Sequence, residues 1–240
     1  TKPKDSNVLS SGIDLILRNE KFNLETGFAS YEDLNKQQSD RHQFILPYFR
    51  YNAAIKKNLG IINFYSNGNN ILQNTNNLRT RVVNDINFSS VDFLNFKTGF
   101  KSNFNIYFKN VNTVAKEDAI YKSSPQSELM NIFEFNTSYP AIKETKSKIE
   151  LLTPKVSFRF NPGDMKNHSK TDRAINANNI FSVNRLSLED SLESGRSLTF
   201  GLDYKNNNIE KNNEMNIKLA SVIRDKKEGP IPEKTTLNKK

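Results

Sequence analysis

The chain has 240 residues, 35 of them basic and 26 acidic, for a formal charge of +9, with neither cysteine nor tryptophan. The absence of cysteine excludes a disulfide framework or thiolate metal site within these residues. Mean hydropathy is -0.69 and no apolar run is long enough for a transmembrane helix, which leaves open a membrane barrel, whose strands place polar residues at every second position.

Period-2 alternation recurs along the whole chain and helical periodicity is nearly absent. Strands are predicted at 12–18, 21–31, 42–52, 59–67, 77–88, 96–110, 128–139, 149–160, 196–205 and 214–224. Phe22, Leu24, Thr26 and Phe28 face away from Asn23, Glu25 and Gly27. Segment 59–67 carries apolar groups on both faces (Leu59, Ile61, Ile62), and segment 77–88 places Asn84 on its otherwise apolar face. The clearest pattern runs from Phe96 to Lys109. There Phe96, Thr98, Phe100, Ser102, Phe104, Ile106 and Phe108 alternate with Lys97, Gly99, Lys101, Asn103, Asn105, Tyr107 and Lys109. Successive strand side chains point to opposite faces, so this segment has one aromatic and one cationic face. Further on, Val156, Phe158 and Phe160 oppose Lys155, Ser157 and Arg159. Leu198, Phe200, Leu202 and Tyr204 oppose Thr199, Gly201, Asp203 and Lys205, and Met215, Ile217 and Leu219 oppose Asn216, Lys218 and Ala220. Pro47 and Pro154 each remove a ladder donor and fit best at bulges or strand ends.

The connections alternate in predicted length. Short ones near 19–20, 53–58, 89–95, 140–148 and 206–213 are separated by longer ones at 32–41, 68–76, 111–127 and 161–195. Outer-membrane barrels pair short periplasmic turns with long extracellular loops in this way, whereas a Greek-key sandwich keeps no such parity. The predicted fold is all-β: an antiparallel transmembrane β-barrel section of about ten strands from a larger outer-membrane barrel. Residues 1–240 would form part of a single barrel domain, with an extracellular or luminal loop at about 161–195. The polar ends, Thr1-Lys2-Pro3-Lys4 and Lys234 to Lys240, read as those of an internal piece of a longer chain. Two alternatives stand beside this reading: another channel or receptor barrel of the porin kind, and a secreted β-sandwich that binds polyanions.

The residues nominate no catalytic centre. G-x-S-x-G, P-loop and H-E-x-x-H patterns are missing, so no enzyme is expected. His42 and His168 lie far apart with no ligand at metal spacing, and neither metal nor cofactor is expected. A basic excess can serve nucleic acid, an anionic membrane surface or acidic substrates. Here it is spread over strands without an RNA-binding, helix-turn-helix or zinc-finger signature, so nucleic acid is not an expected partner. Arg79, Arg81, Lys97, Lys101, Lys109, Lys155, Arg159, Lys205, Lys218 and Arg224 fall on polar strand faces and form a candidate cationic lumen wall. An Arg or Lys facing lipid at mid-bilayer would cost about 2–4 kcal/mol, which assigns that face inward. The wall either attracts phosphorylated headgroups or is neutralised by acidic residues on inward-folding loops.

The segment Asn179-Ile180-Phe181-Ser182-Val183-Asn184-Arg185-Leu186-Ser187 resembles the N-L-F-S-x-N-R-F-S motif of the LptD (OstA/Imp) family of lipopolysaccharide-assembly outer-membrane proteins. Asp190, Glu193 and Gly195 follow, then Leu198-Thr199-Phe200-Gly201-Leu202, as the family's acidic residue, glycine and next strand do. Leu152-Thr153-Pro154, Ile45-Leu46-Pro47 and Ser30-Tyr31-Glu32-Asp33-Leu34 resemble other family segments in the same order. Leu188 stands where the family usually has glycine, and Ser191 where it usually has a basic residue. The resemblance implies a section of a Gram-negative outer-membrane barrel that inserts lipopolysaccharide into the outer leaflet. It also implies a lipoprotein plug within the barrel and a periplasmic bridge protein as partners. Asn179, Phe181, Ser182, Asn184, Arg185 and Asp190 are the motif-loop candidates. Arg185 and Asn184 are expected to tie the loop to the barrel wall; the alternative role is contact with lipopolysaccharide phosphate.

Overall fold

Strands whose apolar residues fall on alternate positions bury only one face, and here they assemble into one antiparallel sheet. The computed structural model describes residues 7–37, 40–73, 76–118, 121–210, 212–225, 227, 229–235 and 237. The strands are β1 (Val8–Arg18), β2 (Phe22–Asp33), β3 (His42–Lys57), β4 (Gly60–Gln73), β5 (Asn77–Ser90), β6 (Phe93–Leu94), β7 (Lys101–Lys116), β8 (Gln126–Ser138), β9 (Ala141–Glu144), β10 (Lys148–Asn161), β11 (Gly195–Asn208) and β12 (Asn213–Arg224). A 3-10 turn at Glu233–Thr235 is the only helical piece among the described residues. Pairing follows chain order from β1 to β12, with β6 appended to β7 and β9 to β10. The sheet is not closed: β1 and β12 are its two ends.

Each of the ten predicted strands has a counterpart, but several local predictions are corrected. The segment at 96–110 begins only at Lys101, because Asn95 closes a turn. Its carbonyl accepts from Gly99 N at 2.7 Å, its side chain accepts from Lys97 N at 3.1 Å, and Gly99 takes a left-handed φ of 76°. The longer connection expected at 68–76 is instead mostly strand, with β4 reaching Gln73 and β5 starting at Asn77. Asparagine tolerates left-handed backbone and makes local turn hydrogen bonds, so Asn67-Gly68-Asn69-Asn70 has the composition of a loop. Instead, the Asn70 amide bonds across strands, donating to the Leu46 carbonyl and accepting from Thr80 Oγ1. The connection expected at 111–127 is also shorter, since β7 runs on to Lys116 and β8 starts at Gln126, so the predicted alternation of short and long connections is lost between β4 and β10; the short strands β6 and β9 were not expected.

The two prolines sit where the ladder has no use for their missing donor. Pro47 lies at the break in β2–β3 register between Gly27 and Ala29. Pro154 lies between the β9 pairing, which ends at Leu152, and the β8 pairing, which starts at Lys155.

The chain divides into two compact units. The first comprises Thr1–Lys56, Ile62–Ile86 and Lys109–Leu129, and buries Ser66, Val83, Lys109, Val111, Thr113 and Ala115. The second comprises Lys57–Ile61, Asn87–Phe108 and Met130–Lys240. Across β10 and β11 its sheet is polar where it is buried and apolar where it is exposed, while β8 buries Met130 and Ile132 beside Glu134. Glu134, Ser157, Arg159, Asn161, Ser197 and Thr199 are buried, while Phe133, Phe135, Phe158, Phe200 and Leu219 are exposed. Register places these sets on opposite faces: Arg159 pairs with Ser197 and Ser157 with Thr199, while Phe158 pairs with Leu198 and Val156 with Phe200. A soluble sheet buries the apolar set, so this inversion is informative in a way that a single exposed leucine is not.

Candidate functional site

The polar face of β10 and β11 is buried by residues 162–194, the segment between the two strands, while β12 stays largely exposed. That segment has a small core of its own. Met165, Leu186, Leu188 and Ile231 are buried together, with Ile175 and Leu237 packed against them. Ile231 comes from the stretch after β12, which is held to the segment by two backbone bonds, His168 N to Pro230 O (2.8 Å) and Glu233 N to Ser169 O (3.1 Å). The two departures from the family motif fall in this packing. Leu188 fills the core, and fully buried Ser191 accepts from Lys166 N at 3.0 Å, where a long basic side chain has no room.

Beneath the segment, three arginines converge on one carboxylate. Arg185 donates Nε to Glu193 Oε2 at 2.7 Å and Nη2 to Glu193 Oε1 at 2.5 Å, a two-point clamp. Arg159 Nη1 donates to Glu193 Oε2 at 2.6 Å, and Arg224 reaches Oε1. Arg185 also donates to the hydroxyls of Thr199 and Ser197, both at 3.2 Å, and is only 2% exposed. Register sets Arg159 opposite Glu134, which accepts from Ser157 Oγ at 2.9 Å and Asn105 Nδ2 at 3.2 Å. Burial pushes the Glu193 carboxyl up, but Arg159, Arg185 and Arg224 outweigh it and hold the group at about 2, below the ordinary 4.5. It is ionised at neutral pH, and the arginines are permanently charged. The cluster clamps chain segments together through charge-assisted hydrogen bonds.

A second attachment is apolar. The Phe181 ring rests on Gly201 so closely that an added Cβ would sit 2.5 Å from Phe181 Cε2. Lys155, ion-paired with Asp203, lies 5.7 Å from the same ring centroid. A third contact runs from Lys218 Nζ to Asn178 Oδ1 at 2.9 Å.

The remaining motif residues serve the loop's own shape. Asn179 donates to Ala174 O at 3.1 Å and accepts from Asn176 N at 2.8 Å. Ser182 is exposed, its N donating to Asn179 O. The Asn184 carbonyl accepts from Ser187 N at 3.1 Å; among the described residues its side chain makes no hydrogen bond to the sheet. Asp190 lies 3.1 Å from His168 Nε2 and 3.6 Å from Lys166 Nζ. The structure therefore brings Phe181 and Arg185 to the sheet and leaves Asn179, Ser182, Asn184 and Asp190 within the loop.

Most of the candidate cationic wall is paired. Arg79 meets Asp118 at 2.6 Å, Lys101 meets Asp92 at 2.8 Å, Lys109 meets Asp85 at 2.9 Å, and Lys155 and Arg159 pair as described. Arg81 is half-buried on the same face of β5 as Arg79. Lys205 is exposed on β11, and Lys97 lies in the turn before β7 rather than on a strand face. Sequence reading did not weigh Glu193 as a site, nor Ser197 and Gly201. The available signal was parity: residue 193 continues the odd-numbered polar face of β11.

No protein-family model matches the chain, and no curated protein matches it. Among the described residues, no helix is long and apolar enough to cross a membrane and no acidic, histidine or cysteine group is placed to hold a metal ion. The first statement has no bearing on crossing by strands.

Proposed function

We propose that this chain is a section of an outer-membrane β-barrel whose polar face lines a lumen closed in part by its own segment 162–194, and that the barrel inserts lipopolysaccharide into the outer leaflet. The observation that carries the barrel reading is the inverted sheet, with exposed Phe133, Phe135, Phe158 and Phe200 behind buried Glu134, Ser157 and Arg159. Lipid on the aromatic side and a wet, ion-paired interior on the other account for both sets. The unpaired edges of β1 and β12 call for further strands, since lipid leaves no exposed backbone polar group satisfied.

The lipopolysaccharide assignment is supported by the likeness of residues 179–187 to the assembly family's motif. In this reading Arg185 ties the luminal segment to the wall, a lipoprotein plug shares the lumen, and a periplasmic bridge supplies the cargo. Acyl chains contribute about 0.8 kcal/mol per buried CH₂ and so resist a polar lumen, while the sugar passes through it. The test places a photoreactive benzoylphenylalanine at Lys205 on the polar face, or at Phe200 on the apolar face, in Gram-negative cells making the protein. A lipopolysaccharide adduct at position 205 is expected. Phospholipid adducts at 200 with none of lipopolysaccharide at 205 would leave a barrel of another kind.

A further inference from the structure

We infer that the apolar face is registered to a bilayer by polar side-chain rungs set eight residues apart on β7 and β11, and that these rungs meet the lipid headgroup layers. The inference rests on the barrel reading and adds where the membrane begins and ends. On the apolar face of β11, Leu198, Phe200 and Leu202 lie between Arg196 and Tyr204. Arg196 is exposed, its guanidinium 5.4 Å from the ring centroid of Phe160 on β10. At the other end Tyr204 Oη donates to Glu150 Oε1 at 2.8 Å. Each end thus pairs an aromatic ring with a charged group, the chemistry of a membrane–water interface rather than of hydrocarbon.

The spacing recurs on β7. Phe104, Ile106 and Phe108 lie between Ser102, which donates to Thr137 Oγ1 at 3.1 Å, and Asn110, which donates to Ser127 Oγ at 3.2 Å. The Asn110 rung continues across the neighbouring strands: Asn84 Nδ2 donates to Asn110 Oδ1 at 3.2 Å, and Ser66 Oγ donates to Asn84 Oδ1 at 2.7 Å. Eight residues of antiparallel strand span about 27 Å, or about 20 Å of membrane normal at a tilt of 35–45°. This approaches the apolar band of about 25 Å that an outer-membrane barrel presents.

The chain lacks tryptophan, so single substitutions report depth directly. Phe160→Trp, Phe200→Trp and Tyr204→Trp are each folded in lysophosphatidylcholine micelles brominated at the acyl-chain end or close to the headgroup, with circular dichroism confirming strand content. Such micelles cover the apolar face while leaving the sheet edges wet. The Phe200→Trp emission is expected to be lost mainly to chain-end bromine, and that of the other two mainly to bromine near the headgroup. Equal depth at all three positions would overturn the registry and leave the barrel reading standing. A folded Phe200→Trp chain quenched by neither amphiphile would overturn both.

Discussion

Glu193 concentrates the energetics of the buried face, because three guanidiniums depend on its one carboxylate. Removing the shared partner of buried charges costs about 3–5 kcal/mol. Glu193→Gln is therefore expected to undock segment 162–194, read as rapid trypsin cleavage at exposed Lys170 and Arg173. Arg185→Ala leaves Glu193 neutralised by Arg159 and Arg224, whereas Glu193→Gln leaves three buried guanidiniums without a carboxylate. Its segment is expected to be cleaved more slowly than that of Glu193→Gln, and the reverse order would show that the carboxylate is not the hub. The pH dependence follows from the lowered Glu193 value of about 2. A depressed folded pKa gives stability that is complete above the ordinary 4.5 and lost as pH falls toward 2. Hydrogen-exchange protection factors in 162–194, corrected for the intrinsic pH dependence of exchange, are expected to be flat from pH 7 down to about 4.5, the unfolded carboxylate range, and to fall below it. The Glu193→Gln variant should lack that acid limb; a limb that persists would assign the acid sensitivity to another group.

At the scale of elements, β11 works as a two-sided plate. Its odd positions Ser197, Thr199 and Gly201 receive the segment, and its even positions Leu198, Phe200 and Leu202 face outward. Gly201 leaves the space that Phe181 occupies. Gly201→Ala is expected to displace the ring and loosen the segment without changing strand content, seen as faster trypsin cleavage with an unaltered circular-dichroism spectrum. In a Phe181→Ala background the same change should add little, since coupling of contacting residues appears as non-additivity. Full additivity would mean that the ring and Gly201 do not act together. β10 shows why strand prolines are positional: Pro154 falls in the interval between two partners, where no ladder bond is forgone.

For the molecule as a whole, the decisive feature is the pair of strand edges. A sheet whose terminal strands are unpaired offers rows of free N–H and C=O groups, a template for further pairing. The 240-residue chain alone is thus expected not to form the closed, heat-resistant species that intact barrels give on an unboiled detergent gel. A compact band that converts to a slower one only on boiling would contradict this and require β1 to pair with β12.

Alternation by itself determined the strands, because side-chain period is a property of the backbone that needs no partner. Every long strand was legible, as were the opposed faces at 149–160 and 196–205. Local chemistry misled in two places: Asn70 has the character of a turn former yet bonds across strands, and the alternation at 96–99 continued through a turn that Asn95 closes. The convergence of Arg159, Arg185 and Arg224 on Glu193 was hidden, because their neighbourhood is made by register and by a segment folding back, neither of which spacing encodes. The sequence could mark cations on polar faces. Only the tertiary structure decided which carboxylates neutralise them, since a charge leaves water only where its partner has been brought to meet it.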